Sequence, residues 1–283
     1  MSQQFDPELH RQMGVEADVV LRVGMLLMGA GTSGYRVLRG MKRSARALGF
    51  DHLDATVGLT QITCTFHRGE YFRTVIARQH SPAVDASRIE ALEDLTHNRL
   101  YAGITAQELA AMLDVIEFGV KKRWSGLVLS FAAAIACAAF AYLNFFPLEA
   151  VGLVALAAFA GQFVRYTVLH RHVHQIGGVI AGGATASIVF FLLTAFFGAI
   201  GSVDPSELSS GVVAAVLFLI PGFPLFSALI DLARFDLDAG IVRLGYAFTV
   251  IFTATFTVSM VSWLTQLTPD PPAPAPVSYT HLR

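Results

Sequence analysis

Residues 219–231 read LIPGFPLFSALID, a stretch apolar enough for a membrane helix that nevertheless carries Pro221, Gly222 and Pro224 and closes on Asp231. Proline lacks the amide a helix needs and its ring collides with the preceding turn, so a continuous helix breaks here. In hydrocarbon every freed backbone group must be satisfied inside the protein, so a break is tolerated only where protein or a water-filled cavity surrounds it. Broken membrane helices of this kind build ion and solute sites, with half-helix N-termini offering N–H groups to anions and freed carbonyls taking cations.

The rest of the chain supports a membrane setting. Hydrophobic residues make up 54% of the 283 and charged residues only 14%, with a mean hydropathy of +0.56, too apolar for an ordinary soluble chain. Most of the charge lies in residues 1–123, whereas 124–268 are almost continuously apolar. Five candidate spans follow, at residues 126–146, 148–169, 177–200, 211–230 and 240–264, each near the roughly 20 residues that cross a bilayer core. The expected fold is an α-helical integral membrane protein: a small α+β cytoplasmic domain (1–123), a five-helix transmembrane bundle (124–268) and a Pro/Ala-rich linker (269–283). Lys121, Lys122 and Arg123 precede the first span, Arg165 and Arg171 flank the second connection and Arg234 lies in the fourth, whereas NFFPLE and GSVDPSELSS hold no Lys or Arg. The positive-inside rule then puts the N-terminal domain in the cytoplasm and residues after 265 outside.

Within 1–123, apolar residues recur at helical spacing from Val19 to Leu48, as one long amphipathic helix or two shorter ones. Gly29, Gly31 and Gly34 weaken its middle and predict a kink or the close approach of another backbone. DATVGLTQITCTFHRGEYFRTVIARQ reads as a β-hairpin turning at HRGE, with a phase slip at Thr60 and Gln61 of the kind a bulge produces. Helices are expected over 85–100 and 105–120, the second opened by the capping box Thr105-Ala-Gln-Glu108. The N-terminus has no basic region leading into an apolar core, so no cleaved signal is expected.

Other chemistry is sparse. Cys64 and Cys137 make neither a disulfide framework nor a metal pattern. His170 and His174 would share a face if helical and would bind metal only if a further ligand completed the site; a histidine-rich membrane boundary, with His172 between them, explains the run without one. No metal and no cofactor is therefore expected. No metalloprotease helix, serine elbow or phosphate loop appears, so no enzyme is expected. A net charge of −1 gives no reason to invoke nucleic acid. Gly178, Gly182 and Ala186 form a small-residue face suited to close packing inside the bundle, with a homo-oligomer seam as the alternative. Asp231 and Arg243 flank the connection after the broken span, either as interfacial charges in water or, if the half-helix is displaced, facing a cavity.

PGFPLFSALIDLARFDLDAGIVRL resembles the signature of the threonine/serine exporter family, with a Pro-Gly start, an aspartate closing the span, then Asp236, Gly240 and Arg243. LMGAGTSGYRVLRGMKRSARALGF, with Gly31, Tyr35 and Arg36, and HNRLYAGITAQELAAMLD, with Asn98, resemble the same family, and the similarity runs from residue 20 to 265. The resemblance implies a multi-pass protein of the bacterial cytoplasmic (inner) membrane that exports small amino acids such as threonine and serine, driven by protons. It further implies a substrate and ion site at Pro221, Gly222, Pro224, Asp231, Asp236, Gly240 and Arg243. A second membrane module, fused or supplied as a separate subunit, is implied as partner. Some members made as two polypeptides are linked to dicarboxylate export, which stays open as the alternative, as does a membrane-anchored scaffold or sensor.

VSYTHLR at 277–283 resembles the translation of a transposon adapter used in sequencing libraries, so the native chain is expected to continue past Pro276. The topology makes a direct prediction: reporter fusions at Ser206 and Arg234 should fall on opposite sides of the membrane, periplasmic and cytoplasmic. Both on one side would remove the five-span arrangement.

Overall fold

The apolar periodicity of residues 19–48 belongs to two helices, α1 (Pro7–Gly29) and α2 (Gly34–Ala47). Between them Gly31 adopts φ +90°, a left-handed conformation that costs glycine nothing. The amides of Ala30, Gly31 and Thr32 fold back onto the carbonyls of Leu26, Met28 and Leu27 and so close α1. Close packing accounts for other glycines: a methyl on Gly40 would meet Leu27 Cδ1 at 2.7 Å. The computed structural model describes residues 7–79, 84–120, 124–171, 173–200 and 211–265.

The sheet departs from the expected hairpin. Three antiparallel strands, β1 (His52–Val57), β2 (Gln61–Arg68) and β3 (Tyr71–Arg78), lie in sequence order. The phase slip at Thr60 and Gln61 is a chain reversal, not a bulge: Gly58 N–H donates to the Gln61 carbonyl (2.8 Å), and Val57 pairs with Ile62. The turn at HRGE forms as expected, with Arg68 paired to Tyr71. Leu53, Val57, Ile62, Cys64 and Phe66 turn inward against the helices. Arg68 reaches from β2 to donate to the carbonyls of Leu48 (2.7 Å) and Gly49 (3.2 Å), which puts a positive charge at the C-terminal end of α2, where the helix dipole favours it.

The helical layer continues with α3 (Ala86–Asp94), a π-helical turn (Leu95–Arg99) and α4 (Ala106–Gly119). The capping box forms as the sequence indicates. Hydrogen bonds from the Thr105 amide and hydroxyl hold the Glu108 carboxyl below its usual range. Met13, Leu27, Met41, Leu92 and Leu109 are fully buried beneath the sheet, each stabilising the fold by roughly 1.5–3 kcal/mol.

The described residues group into two compact units, one drawn from 1–123 and 222–246, the other from 124–221 and 247–283. In the second unit, α5 (Gly126–Leu143), α6 (Leu148–His170) and α7 (Gln175–Ala199) pack through small residues. A Cβ on Gly182 would lie 3.1 Å from the Gly161 carbonyl, and one on Gly161 would lie 2.7 Å from Ala186 Cβ. The small-residue face of α7 is thus used within the chain, as the first of the two sequence readings has it.

Among the described residues four helices, not five, are long and apolar enough to cross a membrane: α5, α6, α7 and the last helix, Leu237–Thr265. The span expected at 211–230 is interrupted, as its prolines dictate. It comprises α8 (Gly211–Ala215), a 3₁₀ turn (Leu217–Leu219), Pro221 and then α9 (Gly222–Ala233), which packs in the first unit. The Ile220 amide donates to the Leu217 carbonyl (3.1 Å), satisfying the group that Pro221, having no N–H, sets free. The last helix, α10 (Leu237–Thr265), has 29 residues; at 1.5 Å each it is about 44 Å long, longer than a core of about 30 Å. Lys121, Lys122, Arg123, His172, the connection at 201–210 and the tail from 266 onward, with its linker, lie outside the described residues.

Cys64 is 1% exposed, and burial pushes its thiol up to about 12. Since the thiolate is the reactive form, N-ethylmaleimide at pH 8 should leave Cys64 unmodified in the folded protein and label it after denaturation. Peptide mass spectrometry reads both states, and rapid labelling of the folded chain would contradict the packing.

Candidate functional site

A tight corner joins α9 to α10. Phe235 turns left-handed (φ 61°), and the amides of Phe235 and Asp236 bond back to the carbonyls of Leu232 (3.0 Å) and Asp231 (3.0 Å), which ends α9. Asp236 then opens α10: its carboxylate accepts from Ala239 N–H (3.4 Å) and its carbonyl from Gly240 N–H (3.0 Å). Gly240 permits the corner, because a Cβ there would lie 2.6 Å from Leu232 Cγ and 3.1 Å from the Leu232 backbone nitrogen. Its role is close approach of two helices, with no group to offer a ligand.

The corner sets Asp231, in the last turn of α9, against Arg243, two turns into α10, at 3.4 Å. Neither is an interfacial charge in water, since their side chains are 0% and 5% exposed. A buried pair of this kind must have its remaining hydrogen-bonding capacity met nearby. The partners come from the far end of the sequence. Gly34 N–H and Tyr35 N–H, the first amides of α2, donate to the Asp231 carboxylate at 3.2 and 3.5 Å, and Arg243 Nη1 donates to the Thr32 carbonyl at 2.6 Å. Ser33 holds the N-cap position of α2 but makes no capping bond. Asp231 caps the helix instead, with its charge at the positive end of the dipole. Arg234 completes the contact by lying over the Tyr35 ring, 3.8 Å from its centroid, a cation–π pairing.

Of the residues singled out from the sequence, Asp231, Asp236, Gly240, Arg243 and Tyr35 come together here, and Gly31 shapes the turn that leads into α2. Arg36 is exposed on α2. Asn98 does not join them: its amide donates to Asp94 (2.9 Å) in the π-helical turn. That bond, with Arg99, holds the Asp94 carboxyl below its usual range. Gly222 and Pro224 form the first turn of α9. Nine residues separate Gly222 from Asp231, about 14 Å along a helix, so the helix N-terminus that meets Asp231 is that of α2 and not that of α9. His170 ends α6 and His174 caps α7, so the two do not share one helical face. Thr32 and Ser33 escaped the sequence reading, and Gly34 and Arg234 entered it only as a helix-weakening glycine and a topology-setting charge. Ser33 carried a weak signal, as an N-cap residue at a helix start.

The two stretches that form the site, 30–36 and 231–243, both fall within a single family match. The sequence model of the ThrE family, described as "Putative threonine/serine exporter", matches residues 18–265. The chain belongs to the threonine/serine exporter family. It is similar to the "Probable succinate transporter subunit YjjP" of Escherichia coli (strain K12), 22% identical over 255 residues, covering 87% of this chain and 92% of that protein. It is also similar to the protein of the same name from Klebsiella aerogenes, 22% identical over 226 residues, covering 79% and 83%. No solved structure matches.

The burial of the pair predicts how this exporter-family protein responds to losing half of it. Asp231→Ala leaves Arg243 buried without its counter-charge and should destabilise by about 3–5 kcal/mol, whereas Asp231→Ala with Arg243→Met should recover much of that loss. Thermal unfolding in detergent of both single variants and the double variant measures the coupling. Additive losses would mean that the pair does not interact.

Proposed function

We propose that this protein is one module of a proton-coupled exporter of small amino acids such as threonine and serine, with Asp231 and Arg243 at the centre of its site. Membership of the exporter family carries the membrane-transport part of this reading. The single structural observation behind the site is the ion pair of Asp231 and Arg243, buried at the meeting of α2, α9 and α10. An ionisable pair inside helices of this apolarity is expensive and by default functional. Arg243 offers a planar, two-pronged donor for a carboxylate, and Asp231 suits either an ammonium group or a proton. One carboxylate cannot hold both strongly, so proton entry at Asp231 favours release of the ammonium, and that competition couples the two fluxes. The break at Pro221, Gly222 and Pro224 supplies the flexible point from which α9 moves.

A succinate-type dicarboxylate is the second reading, favoured by the printed name of the two YjjP relatives. That name, transporter subunit, also supports a partner membrane module for this chain. In both readings residues 1–123 face the cytoplasm and the site is loaded from that side.

Efflux of labelled threonine, serine and succinate from vesicles containing the complete assembly, under an imposed pH gradient, tests this. Asp231→Asn should abolish gradient-driven efflux with the protein still in the membrane. Arg243→Lys should impair it through loss of the planar fork, and Pro221→Ala should slow it by healing the helix. An Asp231→Asn variant with the wild-type rate and pH dependence would remove the aspartate from the mechanism.

A further inference from the structure

Asp231 occupies a place that another carboxylate would fit. Its oxygens accept from Gly34 N–H and Tyr35 N–H at the start of a 14-residue helix and lie beside Arg243. This is a carboxylate-binding arrangement in which the acid belongs to the protein. Donors are left over. Arg243 Nε is buried without a partner on a side chain 5% exposed, and the Ser33 hydroxyl, at the N-cap of α2, is likewise buried and unpartnered. Buried donors without acceptors are costly, and two of them beside a site that already holds one carboxylate point to a ligand with more acceptor atoms than Asp231 supplies.

The space and the charge define that ligand further. Gly34 permits a close approach: a Cβ there would lie 3.2 Å from both Ala239 Cβ and Asp236 Oδ2 and 3.6 Å from Asp231 Oδ2, so both acids border the same spot. Against two carboxylates stands one buried guanidinium, Arg243, because Arg234 is exposed and lies over Tyr35. A dicarboxylate entering here adds two negative charges to a site already short of positive ones. A zwitterion adds none, and its ammonium can lie beside Asp236 once its carboxylate has taken the place of Asp231. Resting on the exporter reading above, we propose that the amides of Gly34 and Tyr35, with Arg243, form the carboxylate cradle of an amino-acid zwitterion, and that Asp231 holds this cradle as a tethered stand-in until substrate takes its place. The N-terminal domain thereby supplies half of the substrate site through the first turn of α2.

The test is binding, independent of transport. The full chain in nanodiscs is titrated with L-threonine, succinate and acetate at matched ionic strength, read by calorimetry and by the rise in melting temperature. Removing the stand-in with Asp231→Ala should tighten L-threonine binding about tenfold or more over wild type, with succinate weaker than threonine. Adding Gly34→Ala to that variant should undo the gain, because its methyl fills the space. Asp231→Asn keeps the side-chain volume and should show the same direction if Asp231→Ala does not fold. Threonine binding that is no tighter in either variant overturns the cradle, and succinate binding more tightly than threonine overturns the zwitterion. Efflux of threonine by wild type without this tightening would leave the exporter reading intact and remove the cradle; tightening without efflux of any of the solutes would do the reverse.

Discussion

A carboxylate withdrawn wholly from water is the constraint around which the first unit is organised. Asp231 is 0% exposed, and an uncompensated charge in that setting is costly enough that its neighbours are dictated. Arg243 answers the charge, the first amides of α2 answer the oxygens, and Thr32 answers the remaining reach of the guanidinium. The consequence runs backward through the chain. Ser33 need not cap α2, and the turn at Gly31 must deliver Thr32, Gly34 and Tyr35 to one place. With Arg68 at its other end, α2 is capped at both termini by residues distant in sequence. A helix with five basic residues and no acidic one, Arg46 in its last turn, therefore has the N-terminal end of its dipole complemented by a tertiary contact, Asp231.

The broken span solves a related problem with different atoms. Two prolines in four residues free backbone carbonyls that hydrocarbon cannot solvate, and a 3₁₀ turn takes up that of Leu217 through the Ile220 amide at 3.1 Å. Hydrogen bonds in a 3₁₀ turn have poorer geometry than those of an α-helix, so the bonds that stabilise the break are softer than a helix ladder. The interruption is thus met by local backbone bonds and needs no partner from another helix.

What the sequence disclosed followed from short-range chemistry. Pro221 and Pro224 break a helix wherever they occur, Thr105 and Glu108 cap one, and the period of 19–48 is helical whether or not the chain is interrupted. The sheet misread at Thr60 and Gln61 shows the limit. A slip of phase is produced equally by a bulge and by a turn, and only the pairing of Val57 with Ile62 separates them. At the site the limit is sharper. Asp231 and Arg243 were recognisable as costly charges near apolar spans, and their spacing across a short connection allowed them to meet. That Asp231 caps a helix 197 residues earlier has no local signature. Both motifs were visible as family resemblances, but their contact is a property of the tertiary fold alone.

The corner between α9 and α10 determines which of these contacts can yield. Gly240 lies against Leu232 with no room for a side-chain carbon, and Phe235 is held left-handed by backbone bonds on both sides. That packing ties the last turn of α9 to the first turns of α10 and holds Asp231 within reach of Arg243. The bonds to Gly34 and Tyr35 have no such reinforcement. At 3.2 and 3.5 Å they lie at the long end of the range for N–H···O bonds. Arg243, by contrast, is tied to the same turn by its 2.6 Å bond to the Thr32 carbonyl. In the cradle proposed above, it is the loss of these two amide bonds that would leave a pair of helix-terminal donors beside a guanidinium, the set an external carboxylate needs.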